Sequence, residues 1–245
     1  MRHFFIDMPL QAEVAITGAD VRHIRTVLRL QAGDIIIVTD PDGQTGAAKI
    51  TQLLADRVTL ALQELLPEDK EAPIRVFLAQ GLPKNDKMDY IVQKTVELGI
   101  AGIYPLLADH SVVQYSESKG QARVERWRKI AAEAAKQCGR SMVPAVNPIQ
   151  RLPEILNHHA ADSTVIMLYE GECPLGLKEV LVRRPDEKYV LLVGPEGGFS
   201  RAEVMSAREH DVQIASMGPR ILRTETAAVA AVAAVMYEQG DLGGG

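Results

Sequence analysis

At Pro67-Glu68-Asp69-Lys70-Glu71-Ala72-Pro73 the rhythm of the chain changes, and this limits the available folds more than any other feature. Before the prolines lie short β-branched runs separated by turn residues. After them, apolar runs of strand length alternate with helical stretches. A polar, proline-bracketed segment reads as a linker, so two domains are expected, residues 1–72 and 73–245. At roughly 100–200 residues per domain, 245 residues suit one small domain and one large one.

The first part reads as mostly β. Strands are expected at 12–17, 34–39, 45–53 and 58–65, with Asp40-Pro41-Asp42-Gly43 as a strong turn signal. One helix, about 19–30, carries Val21, Ile24, Val27 and Leu28 at helical spacing. Five or so short strands closing on a helix suggest a small barrel of the RNA-binding kind. The second part predicts strands at 74–80, 102–107, 164–168, 189–193 and 212–215. Helices are expected at 85–98, 120–138, 200–210 and 225–238. Such alternation indicates an α/β fold with a mostly parallel sheet covered on both faces.

Several classes drop out. No apolar run approaches the ~18 residues of a membrane span. Asp7 follows Phe4-Phe5-Ile6 too soon for a secretory signal to form. Cys138 and Cys173 have no C-x-x-C partner, which excludes a disulfide framework or zinc knuckle and fits a reducing cytoplasm. His158-His159 lacks a carboxylate or cysteine at ligand spacing, so a surface pair is expected and no metal. The net charge of −5 argues against general nucleic-acid stickiness. Even so, Lys119, Arg123, Arg126, Arg128, Lys129, Lys136 and Arg140 face only Glu125 and Glu133 in their stretch, and Arg22, His23, Arg25 and Arg29 form a second basic cluster. Trp127, within the first of these, is expected to pack against the sheet.

In parallel α/β sheets ligands sit at the carboxyl ends of strands, and three strand-to-helix loops stand out. In Gly194-Pro195-Glu196-Gly197-Gly198-Phe199-Ser200 the glycines allow close backbone approach, and Ser200-Arg201-Ala202-Glu203 forms a capping box. The loop lacks the lysine of a phosphate-binding G-x-x-x-x-G-K-[ST] motif, and Glu196 disfavours a polyphosphate. Ser216-Met217-Gly218-Pro219-Arg220-Ile221-Leu222-Arg223-Thr224-Glu225-Thr226-Ala227 combines arginines, a polar helix start and an apolar Ile221-Leu222 pair suited to the wall of an adenine-sized pocket. The third, Gly81-Leu82-Pro83-Lys84-Asn85-Asp86-Lys87-Met88, places two lysines at the same edge.

Together these segments resemble the ribosomal small-subunit methyltransferase E family, within the SPOUT methyltransferases. The resemblance rests on 194–200 followed by 217–227, on Lys84-Asn85-Asp86-Lys87-Met88, on 93–99, and on the region from Trp127 to Pro144 with Glu133, Gln137 and Arg140. It extends to the start, Arg2-His3-Phe4-Phe5. Met217 departs conservatively from a more usual leucine.

The resemblance implies N3-methylation of uridine 1498 of 16S rRNA, on free rRNA or an assembled 30S subunit, with S-adenosylmethionine as donor. It also implies a PUA-like N-terminal barrel, a C-terminal trefoil knot and a homodimer with the active site at its interface. The cofactor would be held by Leu168, Gly194, Pro195, Glu196, Gly197, Gly198, Met217, Gly218, Ile221, Leu222, Thr224, Thr226 and Ala227. Arg2, Arg22, Arg25, Lys84, Lys87 and Arg140 would contact RNA. Arg223 is expected to stabilise the uracil anion, with Glu225 orienting it or taking the N3 proton. Competing readings are a related enzyme acting on another rRNA or tRNA nucleotide and a non-catalytic RNA-binding homologue.

Overall fold

The structure, a computed structural model, describes residues 2–66, 71–113, 115–171 and 175–244. Residues 67–70 of the expected linker, and Cys173, lie outside them. The chain divides into two compact units: residues 1–71 with Ala135–Val143, and Ala72–Ala134 with Pro144–Gly245.

The first unit contains β1 (His3–Phe5), β2 (Glu13–Thr17), a single helical turn α1 (Ala19–Arg22), β3 (Ile35–Thr39), β4 (Thr45–Leu53) and β5 (Arg57–Leu65). Their order is β1-β3-β4-β5-β2, antiparallel except for the β1–β3 pair. Register shifts between β4 and β5 locally disrupt the ladder and increase its twist, as bulges do, which favours a half-barrel. Alternate residues Val14 and Ile16, Ile36 and Val38, Ala48 and Ile50, Val58 and Leu60 point inward and build the core with Val21 and Ile24. Asp40 shapes the expected turn, its Oδ1 accepting from the N–H of Asp42 at 3.0 Å and Gln44 at 2.9 Å.

Two expectations need correcting here. The helix expected over 19–30 is one α-turn passing into a π-type turn at His23–Val27, and it stops at Arg29, whose φ is 52°. Residues 135–143 belong to this unit rather than to the large domain. Lys136 pairs with Asp20 at 3.0 Å, and the Arg140 guanidinium binds Glu71, whose carboxylate also accepts from Met142 N.

The second unit begins with β6 (Arg75–Gly81), α2 (Lys87–Glu97), β7 (Gly102–Leu106), α3 (Glu117–Cys138, in this unit as far as Ala134) and β8 (Ala145–Val146). It continues with α4 (Leu152–His159), β9 (Thr164–Leu168), β10 (Leu175–Gly176), α5 (Leu177–Arg183) and β11 (Lys188–Val193), then α6 (Arg201–Glu209), β12 (Gln213–Ser216) and α7 (Thr224–Glu238). All seven strands are parallel in the order β10-β12-β9-β11-β6-β7-β8. The strands predicted from apolar runs form its centre, and the short β8 and β10 extend its edges. The helices α4 and α5 were not anticipated, since Pro153 and short length weaken their pattern.

Trp127 is 2% exposed, as expected of a packed residue, and its indole N–H donates to Asp89 of α2 at 3.1 Å. His159 is a correction. It is 1% exposed rather than at the surface, packed at a tilt against Phe77 and edge-on to Tyr104, with ring centroids 5.3 and 5.0 Å away. Burial, reinforced by Lys188, lowers its pKa to about 4, so the ring is neutral at physiological pH.

Candidate active site

The carboxyl ends of β9, β11 and β12 open onto a cleft of about 550 Å³. Leu168, Gly194, Pro195, Glu196, Gly198, Met217, Gly218, Ile221, Leu222, Arg223, Thr224 and Ala227 all line it, so the two loops singled out from sequence converge. Gly197, Thr226 and Glu225 lie beside this set. The cleft also takes in Tyr169, Glu170 and Lys87.

The Gly-rich loop is tied on both flanks. Ser200 caps α6, its Oγ accepting from Glu203 N at 3.1 Å while Glu203 returns a carboxylate oxygen to Ser200 N at 2.8 Å. The other Glu203 oxygen accepts from Asp109 N at 3.1 Å, Ser200 Oγ donates to Asp109 Oδ2 at 2.6 Å, and His110 Nδ1 lies 2.8 Å from the Gly197 carbonyl oxygen. Three hydrogen bonds thus fasten the loop after β7 to the loop after β11 and the start of α6.

Beneath them Thr224 Oγ1 donates to the Gly194 carbonyl at 2.6 Å and accepts from Gln80 Nε2 at 2.9 Å. Gln80 is fully buried, and its Oε1 has no hydrogen-bond partner among the described residues. Backbones approach closely here: a Cβ on Gly81 would lie 2.5 Å from the Pro195 nitrogen. Gly218 instead has φ of 104° with open space at its Cβ position, so only glycine readily supplies this backbone wall.

Lys87 is the electrostatic centre of the site. Its ammonium lies 2.9 Å from Glu196 and 3.1 Å from Glu225, joining α2, the Gly-rich loop and α7. Glu196 also accepts from the backbone N–H of Lys84 at 3.2 Å. Hydrogen bonds to Glu196 and Glu225 raise the Lys87 pKa. Burial pushes both carboxyls up, but Lys87 and backbone N–H groups outweigh it and hold them below the ordinary range. All three groups are therefore charged at neutral pH.

The RNA-contact candidates fare unevenly. Arg2, Arg22, Arg25 and Lys84 are exposed. Lys87 is committed to two carboxylates, and the Arg140 side chain, 6% exposed against Glu71, is structural rather than presented to a polyanion. Sequence reasoning missed Gln80, whose signal was a polar side chain near the end of an otherwise apolar strand. It also missed the second use of Glu203, which the capping box identified only as a cap.

What the cleft can hold follows from its lining. Backbone groups and apolar Ile221 and Leu222 suit an uncharged heterocycle, Glu170 offers a carboxylate to a cationic group, and the lining lysine, Lys87, is already paired with Glu196.

Comparison with known proteins agrees with this chemistry. A family described as RNA methyltransferase domain matches residues 70–236, and one described as RNA methyltransferase PUA domain matches residues 16–63. A Bacillus subtilis protein named Ribosomal RNA small subunit methyltransferase E is 36% identical over 248 aligned residues, covering 97% of each chain. A Synechocystis protein of the same name is 31% identical over 92% of this chain and 73% of its own length. The solved structure of a ribosomal RNA small subunit methyltransferase E from Neisseria gonorrhoeae bound to S-adenosyl methionine matches with a TM-score of 0.90 and 32% identity, covering 99% of both chains.

Proposed function

The chain belongs to the RNA methyltransferase family, and from that premise we propose that it transfers the methyl group of S-adenosylmethionine to N3 of uridine 1498 in 16S rRNA. The observation that carries this reading is the convergence of the two glycine–proline loops on one cleft whose lining suits an adenosyl sulfonium. When bound there, S-adenosylmethionine supplies an electrophilic methyl group.

The chain's own residues do the rest. The carbonyls and N–H groups of 194–198 and 216–222 bind the donor, with the Gly194 carbonyl orientation fixed by Thr224. Glu170 offsets the donor's positive charge, and Lys87 keeps Glu196 ionised. Loss of the N3 proton to solvent places negative charge on N3 and the two uracil carbonyls, and N3 spends that charge when it takes the methyl group. Arg223, exposed at the start of α7 and lining the cleft, stabilises that charge together with the positive end of the helix. Glu225, held ionised and paired to Lys87, is a poor proton acceptor, which favours its role as the group that holds Lys87 in place and adds a negative charge near Arg223. The basic Arg2, Arg22 and Arg25 of the N-terminal unit steer the RNA backbone. A homodimer, a knotted C-terminal domain and a cytoplasmic location complete the reading. Among the described residues no helix is long and apolar enough to cross a membrane.

The test is mass spectrometry of 16S rRNA from cells lacking and regaining this chain. N3-methyluridine at 1498 should disappear and return; its persistence in the deletion, or a modification elsewhere, overturns the assignment.

A further inference from the structure

A second cleft, about 290 Å³, opens where β6 and β7 end, lined by Leu82, Leu107, Tyr115, Gln121, Val124 and Ile149 among others. Its floor is apolar and buried, with Leu82 at 2% and Val124 at 4% exposure. One wall is the half-buried ring of Tyr115. The Arg123 guanidinium lies 5.9 Å from that ring's centroid and also donates to Asp86 at 3.3 Å, so the ring is braced against the start of α2. Gln121 places a side-chain amide, both donor and acceptor, at the exposed rim.

This cleft neighbours the methyl-transfer site through one short turn. Leu82 lines the smaller cleft and Lys87 lines the larger. They stand five positions apart, at most ~18 Å of extended chain, and the turn between is pinned by Lys84 N on Glu196. A strand of RNA entering the larger cleft therefore brings its neighbouring nucleotides within reach of the smaller one.

We propose that the smaller cleft is a nucleobase subsite. It takes the unpaired base of a nucleotide flanking the methylated uridine, stacked on Tyr115 with its edge read by the Gln121 amide. The chemistry selects a base over a phosphate: a planar aromatic wall, an apolar floor and one amide, with Glu117 at the rim repelling anions. Its size suits a single ring system rather than an extended ligand. Sequence-specific reading of single-stranded RNA uses this combination of aromatic stacking and edge hydrogen bonds. The inference rests on the proposed rRNA methylation and assigns it a specificity element.

The experiment measures methyl transfer and RNA affinity of the full chain with a 16S rRNA fragment spanning the target, using wild type, Tyr115→Ala, Tyr115→Phe and Gln121→Ala. Tyr115→Ala should weaken RNA affinity roughly tenfold, the scale of one lost base stack, while S-adenosylmethionine affinity stays unchanged. Tyr115→Phe should restore binding, and Gln121→Ala should relax discrimination when the flanking nucleotide is changed. In parallel, 5-bromouridine placed at each flanking position should give a photocrosslink to the segment 115–121 from one position only. Unchanged RNA affinity in Tyr115→Ala with no crosslink to 115–121 overturns the subsite while leaving the methylation intact. Loss of methyl transfer by wild type itself removes the function and the subsite together. If Tyr115→Ala does not fold, the crosslink and Gln121→Ala decide.

Discussion

Gln80 and Thr224, 144 positions apart, meet at 2.9 Å beneath the cleft floor, and the same hydroxyl donates onward to Gly194. The bond links the end of a central strand to the first residue of the last helix and to the Gly-rich loop. Thr224→Val keeps the shape and removes the hydroxyl, leaving Gln80 Nε2 short of a partner and the Gly194 carbonyl free to turn. We expect a loss of about 1–3 kcal/mol in unfolding free energy and weaker S-adenosylmethionine binding, read by denaturant melts and calorimetry. Unchanged donor affinity would show that Gly194 is held by other means.

Lys87→Met removes the cation between Glu196 and Glu225. Both carboxyls titrate below their ordinary value of 4.5 in the folded chain, so their stabilisation is present above that value and is lost as pH falls through it. Lys87 titrates above 10.5, so its share is present below that pH and lost above it. In the variant, stability should fall at neutral pH and depend less on pH below 4.5. Turnover should drop about tenfold or more through lost positioning. Unfolding midpoints measured across pH, beside steady-state rates, check both.

Arg223→Ala should lower kcat by about 10²–10³, the cost of removing one preorganised oxyanion partner, with S-adenosylmethionine affinity little changed. Near-normal turnover at unchanged donor binding would remove Arg223 from the chemistry.

His159 links folding to pH in a separate window. Its pKa is about 4 folded against 6.5 unfolded, so its neutral form costs nothing above 6.5. As pH falls from there toward 4, the unfolded chain takes up a proton that the folded one refuses, and stability drops. The full span is on the order of 3 kcal/mol. His159→Leu, which also removes two buried ring nitrogens without hydrogen-bond partners among the described residues, should flatten this limb and leave methyl transfer unchanged. Chemical denaturation of both chains between pH 7 and 4 is the measurement; parallel curves would refute it.

The cofactor loops were legible because glycine, proline and capping residues act locally: Gly218 and Ser200 announce their backbone geometry within a few positions. The central strands were legible because they are buried on both faces. What escaped was non-local. Lys87 reads as a solvated lysine until α2 is laid beside α7, and Arg140 reads as a basic surface residue until Glu71, 69 positions earlier in the chain, closes on it. His158-His159 gave no hint that one ring faces inward, because a single helical position separates the two environments. The smaller cleft is drawn from four separate stretches, of which only Leu82 falls in a loop that stands out in the sequence.

The fastening of Asp109 and His110 to Ser200, Glu203 and Gly197 has a kinetic consequence. Loops already anchored by their own hydrogen bonds do not need to be ordered when a small molecule arrives. Capture of the donor should therefore follow a single-step encounter whose rate rises linearly with concentration, rather than waiting on a lid to shut.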